Sequence, residues 1–203
     1  MPLSEEDIAR WQDRLPPSIL AIWRSHGLVE LRDGMIRLVY PPQLSRELSI
    51  LISGDPEFGG DTHPIGLSVF GEIYAWSERF GFVSIFPFYS EILVPYGNAG
   101  SAAVPADRQI VEKLFQTELT EFDAYDSSGE PMYDRLREMH GRLRQLDIFG
   151  ATPMPIRAGT VDVEDMVVTH VSPWLEAVFC SMSMTVRDWS LRDPNVRRVR
   201  GCR

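Results

Sequence analysis

The chain has 203 residues, with 29 acidic against 20 basic side chains and a formal net charge of −9. Hydrophobic residues make up 44% and charged residues 24%, which is typical of a folded soluble protein and excludes a disordered chain. The negative charge argues against a general nucleic-acid-binding protein, which usually needs a basic face. No apolar run approaches the ~18 residues of a membrane-spanning helix, and the acidic, polar start predicts that no secretory signal is present.

The charge is unevenly distributed along the chain. Residues 107–130 hold seven acids and two bases, a net charge of −5, whereas residues 186–203 hold two acids and six bases, a net charge of +4. Two cysteines, Cys180 and Cys202, are too few for a disulfide scaffold. They predict a cytoplasmic protein, in which Cys180 is a buried thiol on an apolar helix face.

The first fifty residues predict helices around a short hairpin. Ser4 and the acids that follow it are typical of a helix start, and Pro16-Pro17 ends that helix. A second helix is predicted over residues 18–25, with Gly27 as its C-terminal cap. Asp33-Gly34 predicts a hairpin turn between residues 28–31 and 35–40, and residues 43–53 form an amphipathic pattern.

Residues 65–96 have the strongest β-strand pattern in the chain. The predicted strands are Leu67–Phe70, Ile73–Trp76, Phe82–Phe86 and Ile92–Val94, separated by turn residues. We expect them to form an antiparallel meander with one face buried.

The second half of the sequence predicts mainly helices. They run from Asp107, which is predicted to cap the first of them, to about Leu119, from Met132 to Leu146, and from Ser172-Pro173 through Phe179, with a short helix or turn over 163–168. The predicted fold class is therefore α+β, a central antiparallel meander flanked by N-terminal helices and a C-terminal helical subdomain. We expect a first domain over residues 1–104, a mainly helical domain over 105–189 packed on it, and a mobile basic tail over 190–203.

No pattern of catalytic or metal-binding residues stands out. The histidines His26, His63, His140 and His170 form no pair with metal-ligand spacing, and the loop Asp61-Thr62-His63 is most simply a polar loop. There is neither a nucleophile elbow nor a phosphate-binding loop, and Lys113, the only lysine, does not follow glycine. The sequence therefore predicts no enzyme activity, no metal and no cofactor.

Aromatic side chains are concentrated in the predicted meander. These are Phe70, Tyr74, Trp76, Phe80, Phe82, Phe86, Phe88 and Tyr89. Most are expected to lie in the core, but strand alternation allows others to form an outward patch that anchors a partner. Together with the negative charge, this favours a binding protein with a basic partner.

Several motifs resemble those of the bacterial GAD-like proteins. The N-terminal motifs are the run from Leu15 to Trp23, Gly27, Asp33-Gly34, Tyr40-Pro41-Pro42, His63-Pro64-Ile65 and the run from Val69 to Trp76. The C-terminal motifs, similar to the small domain that follows in that family, are Tyr133 to Leu136, His140 to Leu143, Ile148-Phe149-Gly150, Pro153, Pro155, and His170 with Trp174-Leu175. Ala158-Gly159 and Ile148-Phe149-Gly150 depart from the family pattern.

The resemblance implies an immunity protein of a type VI secretion toxin pair. Such a protein remains in the cytoplasm of the producing cell and binds a co-encoded antibacterial DNase, and the family carries no catalytic motif to transfer. An acidic protein suits the basic cleft of a nuclease. The expected contacts are the acidic run Glu118, Glu121, Asp123 and Asp126 and the loop acids Asp55, Glu57 and Asp61.

Two other functions remain open from the sequence. One is a small-molecule-binding protein or enzyme that uses the aromatic meander as one wall of a pocket. The other is a DNA-associated regulator that acts through the basic tail, with Arg187, Arg192, Arg197, Arg198, Arg200 and Arg203. The sequence leaves the oligomeric state open.

Overall fold

The computed structural model describes residues 2–52, 55, 57–96, 104–152, 161–188 and 195–200. The N-terminal helices form as predicted. Helix α1 is Glu5–Ala9 and helix α2 is Pro17–His26. The Ser4 hydroxyl accepts a 3.1 Å hydrogen bond from the Asp7 N–H at the start of α1. Gly27 ends α2 at a φ of 71°, and its N–H donates to the Trp23 carbonyl.

The chain then enters the main sheet through the predicted hairpin and meander. The strands are β1 (Glu30–Leu31), β2 (Ile36–Leu38), β3 (Thr62–Ser68), β4 (Ile73–Ser77), β5 (Gly81–Phe86) and β6 (Glu91–Val94). Helix α3 (Ser45–Ile52) lies between β2 and β3. The register of β3 on β4 shifts between Pro64 and Gly66. Proline has no N–H for the ladder, and Pro64 is tolerated because β2 pairs only with residues 66–68 of β3, so Pro64 lies beyond the paired stretch on that side.

The second half of the chain contains strands as well as helices. Its elements are α4 (Ala106–Ile110), a π-helical segment (Val111–Gln116), α5 (Tyr133–His140), β7 (Asp147–Ala151), β8 (Met166–His170), α6 (Val171–Ser181), β9 (Ser183–Asp188) and β10 (Asn195–Arg200). The strands of this half were not expected from the sequence. Residues 195–200 also form a strand, where a tail without regular structure was expected.

The main sheet combines both halves of the chain. Its order is β1-β2-β3-β4-β5-β6-β9-β10, and each described neighbouring pair is antiparallel except β6 with β9, which is parallel. Strands β7 and β8 form a separate antiparallel pair. The Phe149 N–H of β7 donates a 2.7 Å hydrogen bond to the Val69 carbonyl, which joins the small sheet to the turn after β3. The predicted α+β class is confirmed.

Alternating strand residues supply two hydrophobic cores, one on each face of the main sheet. On the first face, Tyr74, Trp76 and Phe82 belong to the same buried cluster as Trp23 of α2 and Phe122. On the second face, Ile73, Ala75, Val83 and Ile85 pack in a cluster with Leu48 of α3, Val178 of α6 and Phe58. All residues of β3 and β4 are buried because both faces are covered.

Most of the aromatic meander is therefore core. Phe70, Tyr74, Trp76, Phe80 and Phe82 are buried, whereas Tyr89 is 64% exposed. The expected outward patch is thus reduced to one strongly exposed ring among these eight residues.

The predicted helix cap at Asp107 and the predicted burial of Cys180 were also wrong. Asp107 lies inside α4, whose N-cap is Pro105, and its Oδ1 accepts a 2.8 Å hydrogen bond from the Ser18 N–H in the first turn of α2. Cys180 is exposed and disulfide-bonded, so it is not a buried thiol. Since disulfides persist mainly in oxidising compartments, the cysteines no longer argue for the cytoplasm.

Candidate functional site

The predicted contact acids lie against opposite faces of the main sheet. The run 118–126 packs on the first face through Phe122, and the loop 55–61 packs on the second face through Phe58. The two groups of acids therefore do not form one continuous surface.

Two carboxylates of the run 118–126 are used to hold the fold. Asp123 Oδ1 accepts hydrogen bonds from the N–H groups of Met132 at 3.2 Å and Tyr133 at 2.9 Å, at the start of α5, and burial raises the pKa of Asp123. Asp126 accepts from the Ser128 hydroxyl, the Glu130 N–H and the Arg135 guanidinium, which hold the pKa of Asp126 far below its usual range.

The loop acids are largely turn-forming residues. Asp55 is buried, and its Oδ1 accepts hydrogen bonds from the N–H groups of Glu57 at 2.9 Å and Phe58 at 3.1 Å. Asp61 Oδ1 accepts from the Thr62 hydroxyl at 3.2 Å. Glu57 and Asp61 are half-buried. This loop therefore offers a partner less free carboxylate than its sequence suggests.

Glu118 and Glu121 are exposed, and they lie beside exposed apolar residues of the same segment. Val111 is 40% exposed, Phe115 37% and Leu119 41%. Val111 and Phe115 lie in the π-helical segment, and Leu119 begins a 3-10 turn after the extended residues Thr117 and Glu118. We call these five residues the acidic-apolar strip. Exposed apolar side chains rimmed by charge are typical of a protein-binding surface.

A cleft lies between residues 113–122 and the strands β4, β5 and β6 of the main sheet. It has a volume of about 110 Å³ and is lined by Tyr74, Phe82, Ser84, Phe86, Leu93, Pro95, Lys113, Thr117, Glu121 and Phe122. The rings of Tyr74 and Phe82 stack with their centroids 6.0 Å apart, and the Phe122 ring stands perpendicular to Tyr74 at 6.1 Å. We call this the aromatic cleft. A pocket with the aromatic meander as one wall was among the alternatives that the sequence left open, but the sequence did not indicate that residues 113–122 form the other wall.

Residues 107–130, which we call the acidic segment, are held in place at the π-helical turn. The Arg32 guanidinium donates to the Phe115 carbonyl at 2.9 Å and to the Thr117 carbonyl. It also lies over the Phe122 ring, 5.7 Å from the centroid. Since carbonyls at a helix end have no partner within the helix, this arginine caps the turn from the β1–β2 hairpin. π-Helical turns occur frequently at functional sites.

A buried carboxyl group lies behind the aromatic cleft. The Tyr74 hydroxyl donates a 2.7 Å hydrogen bond to Glu72. Burial raises the pKa of Glu72 to about 7, although the hydrogen bonds from Tyr74 and Ser68 act in the opposite direction. The Tyr74 hydroxyl is thus engaged on its far side and does not face the cleft as a free donor.

The structure brings together no metal-binding cluster among the residues it describes. No group of three or more His, Cys, Asp or Glu side chains there could hold a metal ion. His63, from the predicted polar loop, is buried, and its ring packs edge-on against Trp11 at 5.0 Å. Within the described ranges, no helix is long and apolar enough to cross a membrane.

One arginine of the basic C-terminal region has an acidic partner. Arg187 Nε donates a 2.7 Å hydrogen bond to Glu91 Oε1, between the parallel strands β9 and β6. Arg192 and Arg203 lie outside the described residues, as do the side chains of Arg197, Arg198 and Arg200 in β10.

These features define an α+β protein with helices on both faces of a largely antiparallel sheet and an acidic-apolar surface. Residues 1–87 match the GAD-like domain, so the predicted resemblance is confirmed over that part of the chain. The crystal structure of Atu4351 from Agrobacterium tumefaciens is similar to this chain, with a TM-score of 0.80 and 25% sequence identity, covering 100% of this chain and 92% of that one. No curated protein matches the sequence.

Proposed function

We propose that this protein is an immunity protein that binds and inhibits a cognate type VI secretion toxin, a DNase, in the cytoplasm of the producing cell. The acidic-apolar strip is the observation that carries the proposal. Its exposed carboxylates complement the basic surface that a nuclease presents to DNA, and its apolar side chains supply area to bury. The match of residues 1–87 to the GAD-like domain supports the same role. Binding alone inhibits, and no catalytic step is proposed.

The contacts that we now propose within the predicted set are Glu118 and Glu121. Asp55, Asp123 and Asp126 already accept hydrogen bonds within their own turns and helix starts. A partner that competed for these carboxylates would have to break those hydrogen bonds, which would cost stability. Exposed carboxylates without such bonds can pair with a basic partner at less cost.

The test is binding and protection with the nuclease encoded next to this protein's gene. The variant E118K/E121K should bind that nuclease about tenfold more weakly, with a lower association rate, because the rim charges are reversed. The control E138K/E164K changes the charge equally at two exposed residues of α5 and the 163–165 turn. Equal affinity and protection for both variants would refute the assignment of the strip, and the absence of any binding by the wild-type protein would refute the function.

The aromatic cleft is the observation that favours a small-molecule-binding protein or enzyme as a second candidate. Its volume of about 110 Å³ is well below the ~300–1,000 Å³ of ordinary small-molecule sites. The occupant that fits is therefore smaller than most metabolites or cofactors. Regulation of DNA through the basic region is a third candidate, in which one of the six arginines, Arg187, already pairs with Glu91. An electrophoretic shift with duplex DNA tests it directly.

A further inference from the structure

We propose that the aromatic cleft receives a single aliphatic side chain of the bound toxin and so anchors the complex. This proposal rests on the proposed function and adds the site and chemistry of the central contact. A few buried anchors contribute most of the binding free energy of a protein interface, and they fill well-packed pockets.

The size of the cleft selects one side chain. Its volume is about 110 Å³, whereas an apolar cavity of ~150 Å³ holds a benzene molecule. A leucine, isoleucine or valine side chain therefore suits the cleft better than a larger aromatic ring or a metabolite.

The walls of the cleft select an apolar occupant. Rings of Tyr74, Phe82 and Phe122 form much of the lining. The hydroxyl of Tyr74 is engaged with Glu72, and the Thr117 hydroxyl donates to the Glu112 carbonyl at 3.1 Å. Because these two hydroxyls already have partners, they do not replace the hydrogen bonds to water that a polar occupant would lose; the other polar residues of the lining are Ser84, Lys113 and Glu121.

The rim of the cleft indicates which residue should neighbour that side chain. Glu121 is exposed and lines the cleft, within the segment 107–130 that has a net charge of −5. Lys113 also lines the cleft, and its ammonium lies 6.0 Å from the centre of the Tyr96 ring. Across residues 107–130, however, seven acids face two bases, so the segment that forms this side of the cleft is negative overall. It favours an aliphatic residue next to arginine or lysine, which a basic nuclease offers.

The cleft is held open by groups on both sides of the segment. Arg32 holds the end of the π-helical turn through the Phe115 carbonyl, and Gln109 joins α4 to β5 through the Phe82 N–H at 2.9 Å. A site that exists before binding costs less ordering when the partner arrives.

Filling the cleft tests the proposal. Ser84 lines it from β5 and Thr117 from the opposite segment, so Ser84→Leu and Thr117→Leu fill it from two walls. Each variant should bind the neighbouring nuclease at least about tenfold more weakly. The control Ser49→Leu places the same side chain at an exposed position of α3, on the other face of the sheet. It should bind as the wild-type protein does.

The outcomes separate the two proposals. If the wild-type protein and both filled variants that fold bind the nuclease equally, the cleft is not the anchor and the proposed function stands. If the filled variants lose binding while Ser49→Leu does not, the anchor is supported. If the wild-type protein binds no nuclease, both proposals fail.

A second measurement does not depend on the nuclease. Isotope-labelled protein is titrated with N-acetyl-leucinamide in the millimolar range, with N-acetylglycinamide as the reference. The amide resonances of Phe82, Ser84 and Thr117 should shift with the leucine compound only, and Ser84→Leu should abolish the shifts. Absence of shifts in the wild-type protein, or equal shifts in Ser84→Leu, would contradict a cleft for an aliphatic side chain.

Discussion

The Gln109 side chain accepts a hydrogen bond from the Phe82 N–H, with 2.9 Å between Oε1 and the backbone nitrogen. Its Nε2 donates to the Val104 carbonyl at 2.8 Å, and the residue is fully buried. One amide thus joins α4 to the start of β5. Because α4 leads directly into the π-helical turn, this contact positions the whole acidic segment over the sheet.

Replacing Gln109 by leucine should destabilise the protein by about 1–3 kcal/mol, because the buried Phe82 N–H loses its acceptor. Denaturant unfolding should show a lower midpoint with an unchanged slope. The control is Gln12→Leu at an exposed position after α1, which should change the free energy of unfolding by less than about 0.5 kcal/mol. An equal effect of both substitutions would show that the Gln109 hydrogen bonds contribute nothing specific.

Gly71 provides a second test, on the packing of α6 against the turn after β3. It has a φ of +82°, and a Cβ there would lie 2.7 Å from the Trp174 ring. Gly129 has the same φ of +82° but open space around it. Gly129→Ala should cost about 1–2 kcal/mol from backbone strain alone. Gly71→Ala should cost a further ~1–3 kcal/mol, because Trp174 must move.

Thermal unfolding of the two glycine variants measures the difference. If Gly71→Ala lowers the Tm no more than Gly129→Ala does, Trp174 is not packed tightly over the turn. That result would also contradict the tight packing of α6 against the second face of the sheet.

The buried Glu72 predicts a pH dependence of stability. Its pKa is about 7 in the folded protein against an ordinary 4.5. Between those values the folded state binds more protons than the unfolded state, so the free energy of unfolding should fall as pH rises through this window. The slope contributed by one such group approaches ~1.4 kcal/mol per pH unit. Above about pH 7 the contribution should level off.

The variant Glu72→Gln isolates this contribution, because glutamine still accepts the Tyr74 hydrogen bond but does not titrate. Unfolding free energies of both proteins should be compared from pH 5 to pH 8. The wild-type value should fall relative to that of Glu72→Gln as pH increases. A constant difference across the range would mean that Glu72 titrates normally.

Local structure was largely predictable from the sequence, because its causes are local. The Ser4 cap, the Gly27 stop and the Asp33-Gly34 hairpin turn depend on residues within a few positions of each other. Helix α5 ended early, at Gly141 with a φ of 76°, whereas the apolar spacing suggested a helix to Leu146. In that case the glycine's conformation outweighed the periodicity.

The parallel pairing of β6 with β9 was not predictable in the same way. Ile92 pairs with Val186, so the partners come from opposite halves of the chain. Nothing in either short strand specifies its neighbour, because any half-buried β-strand offers the same backbone groups. For the same reason the sequence suggested a separate helical second half, although β9 and β10 extend the first sheet.

By itself the sequence determined the α+β class, the resemblance of the N-terminal part to GAD-like proteins and the acidity of residues 107–130. Only the tertiary structure decided which of those acids are available to a partner. Asp123 and Asp126 are held by backbone N–H groups and Arg135, while Glu118 and Glu121 remain exposed. The physical reason is that charge is a property of a residue alone, whereas its availability depends on the donors that folding brings within hydrogen-bond distance.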